Sequence, residues 1–239
     1  MPEEKKHRKL PSIELTPSVS IIIAGVIIAG AIIFTNQHPA PSAATTAGTD
    51  QGATATANVP APSANDHIVG SPSAPIVLVE YSDFQCPYCE MIYSSLKQIV
   101  SQSNGKVAWV MREFPLYQIH PQAMPAANAA ECIAAQLGST GFWKYADAVF
   151  ANQASLSASY SASLAKQFGA NMTTYNTCIT NSTYSSKIQS ETADAEASGG
   201  NGTPFTVVIN TKTGKQYPVS GAVPLAQLQA VINQAEGSL

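Results

Sequence analysis

The stretch "APIVLVEYSDFQCPYCEMIYSSLKQIVSQSNGKVAWVMREFP", residues 74–115, decides how this chain is read. It opens on an apolar run rich in β-branched residues, Ala74–Phe84, the pattern of a buried strand. Two cysteines follow, Cys86 and Cys89, with Pro87 and Tyr88 between them. Cys89, Ile92, Leu96 and Ile99 then recur on one helical face until Gly105 stops the helix, and Lys106–Pro115 alternates as a second strand. Strand, helix and parallel strand make a right-handed βαβ unit. The paired thiols fall at its first junction.

That junction has chemical consequences. Pro87 suits the first helical position, where its missing N–H would have no intrahelical partner anyway. Cys86 is then the N-cap, its sulfur aimed at the free N–H groups of Tyr88 and Cys89. Those donors and the positive end of the helix dipole favour a thiolate. Cys89, one turn further on, lies on the apolar face. The expectation is an exposed nucleophile beside a shielded resolving thiol, the asymmetry that exchange through a mixed disulfide requires. Two other readings compete. A structural zinc usually takes four ligands in two close pairs, but Cys132 and Cys178 stand alone and His120 has no nearby partner. A purely structural C-x-x-C disulfide needs only an oxidising compartment. A C-x-x-C at the head of a βαβ unit favours redox chemistry, with no metal and no cofactor.

The rest of the chain supplies the setting. Its 239 residues suffice for one ordinary domain with appendages. Charged residues are 11 % and the formal net charge is −3, with no basic patch to engage nucleic acid. The run "SVSIIIAGVIIAGAIIFT", residues 18–35, carries no charge. As a helix it would reach roughly 27 Å, close to a bilayer's ~30 Å hydrocarbon core. Lys5, Lys6, Arg8 and Lys9 precede it and no Lys or Arg follows before Lys97. The positive-inside rule therefore keeps residues 1–17 cytoplasmic and puts everything after the span outside the cell membrane. A cleaved signal peptide ending near "PSAAT" is the competing reading, but the long lead and long apolar run favour a single-pass signal-anchor. Residues 36–64, rich in Ala, Pro and Thr, read as a disordered linker. The folded domain is then 65–239. Within it, residues from about 120 to 198 hold no strand candidate and read as several helices. "TPFTVVINTKTGKQYPVSG" reads as a hairpin with strands Phe205–Asn210 and Gln216–Ser220. "PLAQLQAVINQAEG" closes the chain as a helix with Pro224 at its first position. The order βαβ, helical insertion, ββα is that of a thioredoxin-like α/β fold.

Taken together, "APIVLVEYSDFQCPYC", "REFPL", "HPQAMPAANAAECIAAQ", "GFWKYADAVF" and "GTPFTVVIN" resemble the DsbA-like thiol–disulfide oxidoreductases of bacterial envelopes, from about Ile68 to the C-terminus. The resemblance implies a thioredoxin fold with a helical insertion, a catalytic nucleophile at Cys86 and a resolving thiol at Cys89. It also implies a cis-proline facing them at Pro204, with the Thr203 backbone turned toward substrate. Glu80 falls where relatives can carry a buried acid beneath the disulfide, able to trade a proton with Cys89; the plain alternative is a solvent-facing strand end. Asp83 reads as a loop residue and His120 as a surface or capping histidine. Tyr88 stands where some strongly oxidising relatives have a histidine.

Cys132 and Cys178 both fall in the helical block. An even cysteine count in an oxidising compartment favours pairing them as a structural disulfide over two separate buried thiols. Asn171, Asn181 and Asn201 begin glycosylation-like tripeptides that chance alone explains in so Asn- and Thr-rich a chain. The functional expectation is a membrane-tethered enzyme that oxidises cysteine pairs of exported proteins. A membrane partner resembling DsbB or vitamin K epoxide reductase would reoxidise it. The alternatives are a reductase or isomerase of the same fold, or a non-catalytic binding module with a structural C-x-x-C.

Overall fold

The computed structural model describes residues 57–237. The segment 18–35 read as an anchor lies outside the described residues, as does most of the linker. Among the described residues no helix is long and apolar enough to cross a membrane. Their order is β1 (His67–Val69), β2 (Ile76–Ser82), α1 (Pro87–Gln102), β3 (Val107–Glu113), α2 (Ala123–Ala151) and a short 3-10 turn (Gln153–Ser155). Then come α3 (Ala158–Gln167), α4 (Met172–Thr180), α5 (Ser185–Ala197), β4 (Phe205–Asn210), β5 (Gln216–Ser220) and α6 (Leu225–Glu236).

The strands form one sheet in the order β1-β3-β2-β4-β5. β2 runs parallel to β3, with Ile76 opposite Val107 and Ser82 opposite Glu113, and antiparallel to β4. Every residue of β2 is buried, as a central strand covered on both faces must be. Ile76 and Leu78 pack on one face with Ile92, Leu96, Ile133, Phe142 and Leu228. Val77, Val79 and Tyr81 pack on the other with Phe205, Val207 and Ala195. By this alternation Glu80 points to the side of α1. Pro218 is tolerated because β5 is an edge strand.

The structure adds three things to the sequence reading. β1 pairs antiparallel with β3 as a short edge strand not anticipated from the pattern. Pro224 is the N-cap of α6 rather than its first residue. The domain also begins earlier than residue 65. Ala57 and Val59 are buried, and Val59 exchanges backbone hydrogen bonds with the Gln216 side chain, 2.9 Å each way. Arg112 explains the rest. Its guanidinium grips both oxygens of Asp66 (2.8 and 3.1 Å) and donates to Pro60 O and Tyr81 Oη at 3.0 Å each. A buried guanidinium needs acceptors for all its N–H groups, and residues 60–66 together with Tyr81 supply them.

The helical block from 120 to 198 holds as expected, with two cysteines joining its parts. Cys132 on α2 and Cys178 on α4 form a disulfide, Cα atoms 5.9 Å apart and 46 positions apart in sequence. Polar groups are buried where the block meets the sheet. Lys187 bridges Glu131 (2.8 Å) and Glu191 (2.6 Å), and His67 reaches Glu131 at 3.0 Å. Beside them Glu113 is buried with no partner for either carboxyl oxygen. Burial, with Glu131 and Glu191 nearby, pushes its pKa well above the ordinary carboxylate range.

Two outcomes follow for stability. Replacing Cys132 and Cys178 by alanine should cost up to about 4 kcal/mol in urea unfolding, the loop-entropy value for a closure of this length. Glu113 acts through pH. Because folding raises its pKa, the stability it contributes is complete below the unfolded pKa and is lost as pH rises toward the folded one. Glu113→Gln should therefore flatten the decline in Tm as pH rises above the ordinary carboxylate range; an unchanged slope would exclude Glu113 as its source.

Candidate active site

Cys86 is the N-cap of α1, in extended conformation (φ −75°, ψ 122°), and Pro87 is the first helical residue. Both cysteines are free thiols. The expected contrast between an exposed and a shielded sulfur is not what is found, since Cys86 is 3 % exposed and Cys89 0 %. Cys86 is covered from across the sheet. The Thr203–Pro204 bond is cis as anticipated, and the Cys86 thiol donates to the Thr203 carbonyl at 3.4 Å. Tyr88 and Met91, around the same helix end, are large apolar residues left exposed.

The asymmetry between the sulfurs is one of protonation. The Cys86 pKa is held down to about 5. The largest cause is a hydrogen bond from the Cys89 thiol, opposed by partial burial and assisted by Thr203 and by the Cys89 and Tyr88 amides. The sulfur closes no full capping bond to an amide, so the helix terminus helps but does not lead. Cys89 moves the other way, pushed up by its burial, by the bond it gives Cys86 and by the charge of Glu80. The Thr203 hydroxyl is buried and finds no partner in the dithiol form, which leaves it available to a thiolate at Cys86.

Glu80 is a fully buried acid, not a solvent-facing strand end. Its Oε1 accepts from the Ser82 hydroxyl at 2.9 Å and its Oε2 from the Trp109 indole at 3.0 Å. Burial outweighs both bonds and raises its pKa to about 7. Ser82 also hydrogen-bonds the Cys89 sulfur when it is charged, so the hydroxyl lies between acid and thiol.

Two residues that the sequence left as loop or surface, and one that it did not single out, belong to this site. Asp83 is buried and His120 pairs with it, Nδ1 to Oδ2, at 2.8 Å. Gln153, in the 3-10 turn after α2, donates to the carbonyls of Phe84 (3.1 Å) and Cys86 (2.9 Å). No local pattern marks Gln153, because its partners lie 67 and 69 positions away. No cluster of His, Cys, Asp or Glu among the described residues is arranged to hold a metal ion.

Comparison with known proteins bears on the family and the fold. The thioredoxin family profile matches residues 63–234. The fold superposes on Pseudomonas aeruginosa DsbA2 with a TM-score of 0.61 at 25 % identity, covering 73 % of this chain and 96 % of that one. Oxidised BdbD of Bacillus subtilis superposes at 0.64 and 17 % identity, covering 76 % and 97 %. Among curated sequences, a protein named Na(+)/H(+) antiporter NhaA 1 from Mycolicibacterium gilvum is 32 % identical over 151 residues, 62 % of this chain. The chain spans about a quarter of that relative's length, 24 %.

Thr203→Val removes the buried hydroxyl but keeps the shape of the side chain. The Cys86 pKa should rise from about 5 by on the order of one unit, the worth of one hydrogen bond to a charged group, in a titration of thiolate absorbance. An unmoved titration would show that the hydroxyl does not serve the thiolate.

Proposed function

Because the chain belongs to the thioredoxin family, in its DsbA-like group, we propose that it is a protein thiol–disulfide oxidoreductase that oxidises cysteine pairs in exported proteins. The observation that carries this reading is the Cys86 thiolate, stabilised down to a pKa of about 5. A stabilised thiolate stabilises the reduced enzyme and so makes its disulfide a stronger oxidant.

The reaction proceeds in two exchanges. A substrate thiolate attacks Cys86 Sγ of the oxidised pair; the Cys86–Cys89 bond breaks, a substrate–Cys86 disulfide forms, and Cys89 leaves as thiolate. Glu80, whose pKa near 7 keeps it partly protonated at neutral pH, supplies the proton through the Ser82 hydroxyl. A second substrate thiolate then attacks the substrate's sulfur in the mixed disulfide, and Cys86 departs as its stable thiolate. The substrate has lost two electrons and the enzyme pair has gained them. A membrane partner resembling DsbB or vitamin K epoxide reductase takes these electrons away and restores the disulfide.

The surroundings of Cys86 support a polypeptide substrate. Tyr88, Met91, Tyr117 and Ile119 are each more than half exposed, although large and apolar. A groove of about 550 Å³ bordered by Gln85, Pro87, Glu90, Asn152 and Gln153 flanks the Cys86 turn. Residues 18–35 anchor the protein in the cell membrane, with residues 1–17 inside and the redox domain outside, where oxidised substrates can persist. Carbonate-washed membranes should then retain the full-length protein.

Cys89→Ser, given disulfide-containing substrate proteins, should hold them as mixed disulfides on Cys86, visible as thiol-sensitive high-mass bands. The Cys86 thiolate opens a substrate disulfide, one substrate sulfur leaves as thiolate, and no Cys89 thiol remains to displace the other. Cys86→Ser should abolish both trapping and the refolding of reduced ribonuclease. Glu80→Gln should slow opening of the enzyme disulfide by roughly tenfold or more and remove the pH dependence near 7. A Cys89→Ser protein that captures nothing would overturn the exchange reading.

A further inference from the structure

The turn that carries the cysteines is held from outside the motif. Asp83 is 1 % exposed, and its carboxylate accepts three hydrogen bonds. Gln85 N–H donates to Oδ1 at 2.7 Å, a local contact that shapes the turn. The Leu116 N–H and His120 Nδ1 both reach Oδ2 at 2.8 Å. Since Oδ2 is the acceptor, Nδ1 of His120 carries the proton. Both donors arrive from the loop between β3 and α2, itself folded by the Ile119 and His120 amides onto Leu116 O at 2.9 Å. The Gln122 amide ties the end of that loop to Gln85 Oε1 at 2.6 Å.

Asp83 also faces the chemistry. Its own N–H donates to Cys89 Sγ at 3.4 Å, within range for a sulfur acceptor. Cys89 is fully buried, with the Ser82 hydroxyl and Glu80 also acting on it, and it is the sulfur that must leave as an anion when the disulfide opens. A backbone N–H fixed against that sulfur stabilises the leaving thiolate, but only while the Asp83 peptide is held in place.

We propose that His120 is a positioning residue for the exchange reaction: by anchoring the Asp83 carboxylate it fixes the Asp83 amide on Cys89 Sγ and thereby favours opening of the Cys86–Cys89 disulfide. The proposal deepens the oxidoreductase reading and rests on it. The bond changes are those of the first exchange: the Cys86–Cys89 bond breaks, an incoming thiolate bonds Cys86, and the electron pair settles on Cys89 beside the Asp83 N–H. His120 touches neither sulfur and gives up no proton.

The test equilibrates the full-length protein in detergent with glutathione redox buffers, which reads the cysteine couple without any protein substrate. With His120→Ala the equilibrium should shift about fivefold toward the disulfide, the factor expected for one hydrogen bond of ordinary net worth. Opening of the oxidised enzyme by dithiothreitol should slow by a similar factor. Asparagine can place its side-chain N–H where Nδ1 lies, so His120→Asn should restore both quantities. An unchanged equilibrium in His120→Ala, or the same loss in His120→Asn, overturns the proposal. If His120→Ala does not fold, His120→Asn is compared with His120→Gln, whose donor lies one bond further out. Equal constants for those two overturn the proposal, and a near-native value for Asn alone supports it. Failure of Cys89→Ser to trap substrates, with the His120 shift present, would remove the oxidase reading and leave the positioning role standing.

Discussion

Everything in this site depends on holding a negative sulfur in a nearly dry place. Cys86 is buried against the Thr203 carbonyl, and burial by itself raises a thiol's pKa. It is overcome by donors that converge on one atom: the Cys89 thiol, the Thr203 side chain and the first amides of α1. The donors come from two ends of the domain, the head of α1 and the loop before β4. The parallel pairing of β2 with β3 and the antiparallel pairing of β2 with β4 bring those ends together. Without that sheet order a C-P-Y-C turn would be an ordinary pair of thiols.

The neighbouring groups divide the protons between them. Cys86 is driven toward the thiolate, Cys89 toward the thiol, and Glu80 to a pKa near neutrality. The leading causes are two: a thiol hydrogen bond for Cys86, and burial for both Cys89 and Glu80. Such a spread is what acid–base chemistry at neutral pH requires. The unpartnered Glu113 lies apart from it and is a cost of joining the helical block to the sheet through buried acids.

The helical insertion does more than enlarge the domain. Gln153 holds the carbonyls on either side of Gln85, and the loop leading into α2 binds Asp83 and Gln85 from below. The Cys132–Cys178 bridge ties α2, between these two contact points, to α4. The redox turn therefore rests on residues that no thioredoxin-type βαβ unit contains by itself. On the opposite face, Arg112 binds residues 60–66 to the sheet and extends the domain into a segment whose composition suggests only a tether.

Periodicity and proline chemistry are local, so the sequence alone settled the βαβ unit, the N-cap at Cys86, the hairpin and the closing helix. The pairing of Cys132 with Cys178 was legible too, because cysteine number and compartment restrict it. What sequence could not settle was whatever depends on atoms distant along the chain. Glu80 looked the same as a solvent-facing strand end until the alternation of β2 aimed it under α1. Asp83 and His120 lie 37 positions apart, and Gln153 lies 67 from Cys86; neither relation leaves a local trace. The burial of Cys86, the donors that lower its pKa and the acceptors that satisfy Arg112 were decided by tertiary structure. The physical reason is that desolvation and hydrogen bonding act through space, while a sequence pattern records only neighbours along the chain.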